Sequence, residues 1–340
     1  MSLSSAIPQP ALSAFQHRQS AHCESGVISS LLHHEGRPFS EAMVFGISSS
    51  LSFAYIPFVK INQLPLIGYR MVPRFILKGM KSQLRLPLRF ETFRSSADGR
   101  RRLDELLDQG RPVGLQSSVF FLPYFPVNMR FHFNAHNLIA YGREGDDYLI
   151  SDPVFNAPTR CALADLQRAR FVRGALAPKG LLYYFDGPLP KVDHVPLLRG
   201  AIRKNCFLML SVPVPFVGCG GIRLLARRVL KLPAKKDLEF TRRFVGHIVR
   251  MQEEIGTGGA GFRFLYAAFL QEAAALLNNP RLQELSLELT AIGDEWREFA
   301  LHAARMNKGR AELDLPLLHG LLMDLAAKES AFYTKLRRAV

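Results

Sequence analysis

Three residues in the first half of the chain have the types and spacing for thiol chemistry: Cys23, His136 and Asp152. Cys23 stands at the mouth of a helix predicted over 24–34, whose apolar face carries Val27, Ile28, Leu31 and Leu32 and which Gly36, Arg37 and Pro38 end. There the unpaired N–H groups of the first turn and the positive end of the helix dipole favour a thiolate. His136 lies in the strand-like FHFNAHNLIAYG, and Asp152 closes the next strand, YLISDP. The turn between them, GREGDD, is of hairpin type and brings imidazole and carboxylate alongside each other. The aspartate then fixes the ring's tautomer and leaves the other nitrogen to face the thiol. Taken singly, each residue has an ordinary reading: a cysteine beside a helix is a small buried hydrophobe, and Asp-Pro after a strand is a turn. Order, helix-start placement and hairpin geometry together point to nucleophile, base and orienter.

The neighbours of the cysteine admit two readings. His22 and Glu24 either tune the thiolate and bind an acceptor amine, or cap the helix and complement its dipole. His33, His34 and His132 have no evident partner, and no Cys/His cluster has metal-ligand spacing, so no metal is expected. The four cysteines, at 23, 161, 206 and 219, form no C-x-x-C pair and no disulfide framework, which suits a reducing compartment. The first residues show no basic-then-apolar leader, so the cytoplasm is the expected location.

The elements that must position these residues fall into two parts. Helices are predicted over 24–34 and 101–109, and strands over 113–116, part of 130–141, 148–151 and 181–185. A proline- and glycine-rich linker at 186–196 follows, and amphipathic helices then run over 237–255, 262–278, 280–305 and 313–337. The expectation is an α+β chain: a mixed domain over 1–190 and an all-helical domain over 191–340. With 340 residues, 48% hydrophobic and 21% charged, two folded domains are affordable, and neither disorder nor a fibrous repeat is indicated. Two long uncharged stretches, 42–59 and 205–222, approach the length of a membrane span. Their serines, prolines and glycines make them buried core or an apolar pocket instead.

The formal charge of +15 concentrates in two runs. Residues 60–102 carry eleven Lys or Arg against Glu91 and Asp98, and 199–236 carry nine with no acid. Such surfaces attract anionic partners or simply keep a protein soluble. Aromatic residues do not interleave with the charge as in nucleic-acid binders, so nucleic acid is not an expected partner.

The segment HCESGVISSLLHHEGRPFSEAMVFGISSSLSFAY, then LPYF, then AHNLIAYG and SDP, resembles the butirosin-biosynthesis protein H family, whose N-terminal domain has a papain-like cysteine-protease fold. The later GGIRLLARRVL and EEIGTGGAGFRFLYAAFLQEA resemble the helical domain that commonly follows it. The resemblance implies a transferase: an acyl or aminoacyl group leaves an acyl carrier protein thioester, rests on Cys23, and passes to an amine or alcohol acceptor, a small molecule or a lipid, in secondary-metabolite or lipid biosynthesis. It gives Cys23, His136 and Asp152 the triad roles. No cofactor is implied beyond the carrier's phosphopantetheine arm, which is substrate. Gln19 or Gln16 is the second oxyanion donor by analogy, beside the Cys23 N–H. Glu24, Gln19, Tyr55 and Arg263 are the substrate-binding candidates, Arg263 because a glycine-rich turn ahead of it, IGTGGAGF, could cradle the phosphate of the arm; a flexible turn is the other reading. Ser48, Ser49 and Ser50 stand where family members often have glycines, so the acyl group differs. The basic runs suit an acidic carrier, and an anionic membrane is the second-ranked partner. A cysteine peptidase or amidase of the same fold and a non-catalytic binding protein are the alternatives.

Overall fold

The computed structural model describes residues 15–61, 63–233 and 237–340. Residues 1–14, most of the stretch in which no leader is read, and Lys235 and Lys236 of the second basic run lie outside the described residues.

The helix expected beside Cys23 is α1 (Cys23–His34). Its first bond runs from the Gly26 N–H to the His22 carbonyl (2.9 Å). It stops at Gly36, whose φ of +71° is the left-handed conformation glycine adopts freely. The Arg37 N–H then closes back on the Leu32 carbonyl (2.8 Å), which satisfies an end-of-helix acceptor. Next come α2 (Glu41–Ile47), β1 (Leu51–Ile61), β2 (Leu64–Arg70) and α3 (Phe75–Gln83). They are followed by β3 (Leu88–Glu91), α4 (Ser96–Asp108), β4 (Val113–Ser117), β5 (His136–Glu144) and β6 (Asp147–Ser151). β7 (Thr159–Ala162), α5 (Leu163–Phe171) and β8 (Leu182–Phe185) complete the sheet-bearing part. The rest is helical: α6 (His194–Leu210), α7 (Gly218–Leu230), α8 (Leu238–Val249), α9 (Arg263–Leu276), α10 (Pro280–Asn307) and α11 (Leu315–Arg338). The class is α+β, a sheet-bearing part followed by an all-helical part.

Two compact units divide the chain, and neither is a single stretch. One holds the described residues up to Gln19, Ser30–Pro38 and Leu88–Asp186; the other holds Ser20–Ser29, Phe39–Pro87 and Gly187–Val340. The division differs from a cut at residue 190, because α2, β1 and β2 pack with the later helices. The Tyr55 N–H donates to the Phe216 carbonyl (2.9 Å), Ala54 bridges Val217, and Gly46 lies so close to the Phe269 ring that a Cβ there would stand 2.0 Å from it.

In the first unit a six-stranded antiparallel sheet has the order β3-β8-β4-β5-β6-β7. Alternate residues point to one face, so Val113 and Leu115, Leu138 and Ala140, and Tyr148 and Ile150 share one apolar core with Leu103 and Leu106 of α4 and Leu166 and Ala169 of α5. The strand expected within 130–141 begins only at His136, and a long irregular loop fills 118–135.

In the second unit the β1–β2 ribbon and the helices bury Phe53, Tyr69 and Trp296 against one another. The uncharged stretches 42–59 and 205–222 are divided between short helices, a strand and loops, and among the described residues no helix is long and apolar enough to cross a membrane.

Candidate active site

The β5–β6 hairpin decides where the histidine and the aspartate go. Glu144 pairs with Asp147 across a two-residue turn in which Gly145 takes φ +59°, and Ile139 pairs with Ser151 further down. Continuing that register by one residue sets Asp152 opposite Leu138, hence on the face of His136 and diagonal to it. The side chains meet: His136 Nε2 lies 2.7 Å from Asp152 Oδ2. Facing a carboxylate, Nε2 carries the proton, so Nδ1 is the basic nitrogen.

Asp152 is fully buried and its charge is held by further donors. The Tyr124 hydroxyl donates to Oδ2 (2.9 Å) and the Val154 N–H to Oδ1 (3.2 Å). Burial, reinforced by the negative charge of Asp152, pushes the Tyr124 phenol well above its ordinary range, which keeps it a donor. Phe125 meets the imidazole edge to face (5.4 Å) and packs on Phe155 (4.8 Å), so the ring's plane is set by carbon as well as by hydrogen bonds. His17 ties the loop after β6 in place. Its Nε2 donates to the Phe155 carbonyl (3.1 Å), which leaves Nδ1 to accept from the Ser151 hydroxyl (2.8 Å).

Cys23 is counted with the other unit. It is the first residue of α1 and only 6% exposed. The segment before it is clamped by the carboxylate of Glu41, the first residue of α2. Oε2 accepts from the Ala21 N–H (2.8 Å), and Oε1 accepts from the His22 N–H (2.8 Å) and the Ser25 hydroxyl (2.9 Å). Burial pushes the Glu41 carboxyl up, against the pull of these three donors. His22 caps the helix: Nδ1 accepts from the Ser25 N–H (3.3 Å) and lies 3.0 Å from the Ser25 hydroxyl, while its ring meets Phe262 edge to face (5.2 Å). The other three thiols are buried, and burial pushes Cys161, Cys206 and Cys219 up to about 12. All four cysteines are free.

Several substrate-binding candidates have other work. Glu24 is fully buried and accepts from the Arg74 N–H (3.1 Å) and the Leu77 N–H (3.2 Å), with Arg70 3.5 Å away. It therefore caps α3, whose own cap residue offers no side-chain bond, and is not presented to an acceptor amine. Arg263 is likewise consumed. Its Nε and Nη2 donate to Glu329 (2.8 and 3.1 Å), Nη1 donates to the Gly261 carbonyl (2.8 Å), and the guanidinium lies 5.0 Å over the Trp296 ring. Burial pulls the guanidinium's pKa down, and Glu329 more than offsets that.

The glycine-rich turn before Arg263 holds itself rather than a phosphate. The Ala260 N–H goes to Glu253 (3.0 Å) and the Gly259 N–H to the Thr257 hydroxyl (3.1 Å). Its glycines serve close packing: a Cβ on Gly258 would stand 3.0 Å from that of Ala21, two residues before Cys23, and one on Gly261 would stand 2.2 Å from the Tyr69 ring. Tyr55 is buried with its ring edge-on to Phe244 (6.5 Å), a packing position in the helical unit. Gln16 and Gln19 are exposed in the irregular segment before α1. Ser48, Ser49 and Ser50 are buried, with Ser48 bonded to the Phe45 carbonyl (2.9 Å) and to Ser50 (2.7 Å), and Ser49 to the Ala201 carbonyl (3.2 Å). Among the described residues no group of three His, Cys, Asp or Glu could hold a metal.

One unit thus carries a helix that begins at Cys23, and the other an antiparallel sheet with a buried His136–Asp152 pair. Residues 22–153 match the family described as butirosin biosynthesis protein H, N-terminal, and residues 164–336 match a domain of unknown function (DUF4872). The second match covers half of the chain, which belongs to the DUF4872 family, and the butirosin biosynthesis protein H, N-terminal, match precedes it. None of the curated proteins is a significant match. A crystal structure of a putative C39-like peptidase from Bacillus anthracis is similar at 13% identity and a TM-score of 0.37, over 52% of this chain and 97% of that one.

Proposed function

We propose that the protein is an acyltransferase in which Cys23, His136 and Asp152 act as nucleophile, base and orienter. The observation that carries the reading is the His136–Asp152 pair, whose Nε2–Oδ2 bond of 2.7 Å commits one ring nitrogen and leaves Nδ1 as the base. The position of Cys23 at the start of α1 supports its role. The match of residues 22–153 to butirosin biosynthesis protein H, N-terminal, supports transfer over hydrolysis.

In the first step the Cys23 thiolate attacks the carbonyl of a thioester on an acyl carrier protein. The C–S bond to the carrier's phosphopantetheine arm breaks, the arm leaves as a thiol after taking the proton held by His136, and the acyl group stays on Cys23. Exchanging one thioester for another is nearly isoenergetic. In the second step an amine or alcohol on a small molecule or a lipid attacks the acyl-enzyme, His136 Nδ1 takes its proton, and Cys23 leaves as the thiolate. No cofactor takes part, and the cytoplasm is the compartment that keeps such a thiol reduced. The Cys23 N–H, at the start of α1, is one donor for the oxyanion.

Incubation with an acyl-loaded carrier followed by intact-mass analysis tests this. The parent gains the acyl mass and Cys23→Ala does not; His136→Ala accumulates adduct slowly. No adduct with any carrier, alongside cleavage of peptide amides, overturns transfer in favour of hydrolysis, and full activity in Cys23→Ala overturns both.

A further inference from the structure

The tip of the β1–β2 ribbon exposes carbon where most hairpins expose polar side chains. Phe58 is 71% and Val59 41% accessible, and the exposed Lys60 follows them. The loop between α6 and α7 lies against this tip, with the Phe216 ring edge-on to Phe58 (5.6 Å). That loop opens a cavity of about 320 Å³ whose walls are Val212, Val214 and Val217 and whose polar side is Arg223 and Ser330. Three exposed prolines, Pro57, Pro213 and Pro215, stand in the two segments. Proline has no N–H, so the patch carries few backbone donors that would have to be stripped of water on entering an apolar medium, and it offers no row of them for a partner strand to pair with.

Charge identifies the medium. Arg223 sits on α7, and Arg227 and Lys231 follow it at four-residue spacing, both exposed. Residues 199–236 contain no Asp or Glu at all. We infer that the β1–β2 tip and the α6–α7 loop form a docking surface for an anionic lipid bilayer, with Phe58 and Val59 entering the headgroup–acyl boundary while Lys60, Arg227 and Lys231 meet lipid phosphates. A peripheral contact of this kind needs both parts, since apolar insertion and electrostatic attraction are each weak alone.

Cosedimentation of the full chain with vesicles tests the surface. At moderate salt it pellets with vesicles of roughly one-third phosphatidylglycerol in phosphatidylcholine and stays in solution with phosphatidylcholine alone. Phe58→Ser with Val59→Ser lowers the partition coefficient about tenfold or more. Lys60→Glu lowers it about fivefold or more. These positions are exposed, and unchanged circular dichroism and melting exclude misfolding. In Phe58→Trp, anionic vesicles shift the new tryptophan's emission to the blue. The inference is overturned if the parent stays in solution with anionic vesicles, if phosphatidylcholine binds it equally, or if the double serine variant pellets like the parent.

Discussion

Asp152 Oδ2 accepts two hydrogen bonds at once, from His136 Nε2 at 2.7 Å and from the Tyr124 hydroxyl at 2.9 Å. The tyrosine thus competes with nothing and steadies the charge that orients the imidazole. Asp152→Asn should reverse the tautomer preference and lower the transfer rate by about 10²–10⁴. Tyr124→Phe removes one donor, with an expected loss of about 1–3 kcal/mol of stability and a smaller rate effect. Steady-state rates and urea unfolding of both variants check the order.

Glu41 is expected to act on Cys23 through the backbone. Glu41→Gln puts an amide NH2 donor where a carboxylate oxygen accepts, and the resulting shift of residues 21–25 should slow alkylation of Cys23 by iodoacetamide about tenfold, roughly the loss of one buried hydrogen bond. The reading is clean, because the three other thiols stay protonated and unreactive while the protein is folded. Cys23→Ala should abolish labelling.

Those three thiols also set an alkaline limit. Their ordinary value is 9.0 and burial raises each to about 12 in the fold, so the unfolded chain releases protons first as pH rises. The stability they contribute is fully present below about pH 9 and is lost progressively towards pH 12. Urea midpoints measured across that window should fall, and fall less in Cys161→Ala with Cys206→Ala once each variant is compared with its own value at neutral pH.

The buried pair of Arg263 and Glu329 should behave asymmetrically. Removing one partner, as in Glu329→Ala, strands a guanidinium, with an expected cost of about 3–5 kcal/mol. Replacing both by methionine should cost less than either single change, since no uncompensated charge is left. Denaturant unfolding of the three variants gives the coupling directly.

The contrast between two glycines separates the cost of a left-handed backbone from that of a close neighbour. Gly36 has open space around its Cβ position, so Gly36→Ala should cost only about 1 kcal/mol for its positive φ. Gly261→Ala also meets the Tyr69 ring and should cost about 2 kcal/mol or more beyond that. Melting temperatures separate the two.

What could be read from sequence was local. Cys23, His136 and Asp152 stood out because a helix start and a two-residue hairpin turn are written in adjacent residues, and the amphipathic helices after residue 237 because their period is regular. Glu41 and Tyr124 did not stand out, since their roles depend on partners 16 to 28 residues away, across an interhelical segment for Glu41 and out of an irregular loop for Tyr124. Arg263 misled for a physical reason: arginine after a glycine-rich turn is usually solvated, and only a distant glutamate, 66 residues on, makes its full burial tolerable. α6 and α7 were hidden by the prolines and glycines around them, and the irregular register of β1 obscured the ribbon.

The close fit of Gly258 to Ala21, and of Phe262 to His22, bears on how such a chain can be divided or recombined. The residues that frame Cys23 are encoded near the start, yet the surface they rest on is encoded about 240 residues later. A fragment ending between the two matched domains would keep all three thiol-site residues and lose the bed beneath one of them. Exchange between relatives at that junction would conserve every motif and still test whether the two surfaces fit.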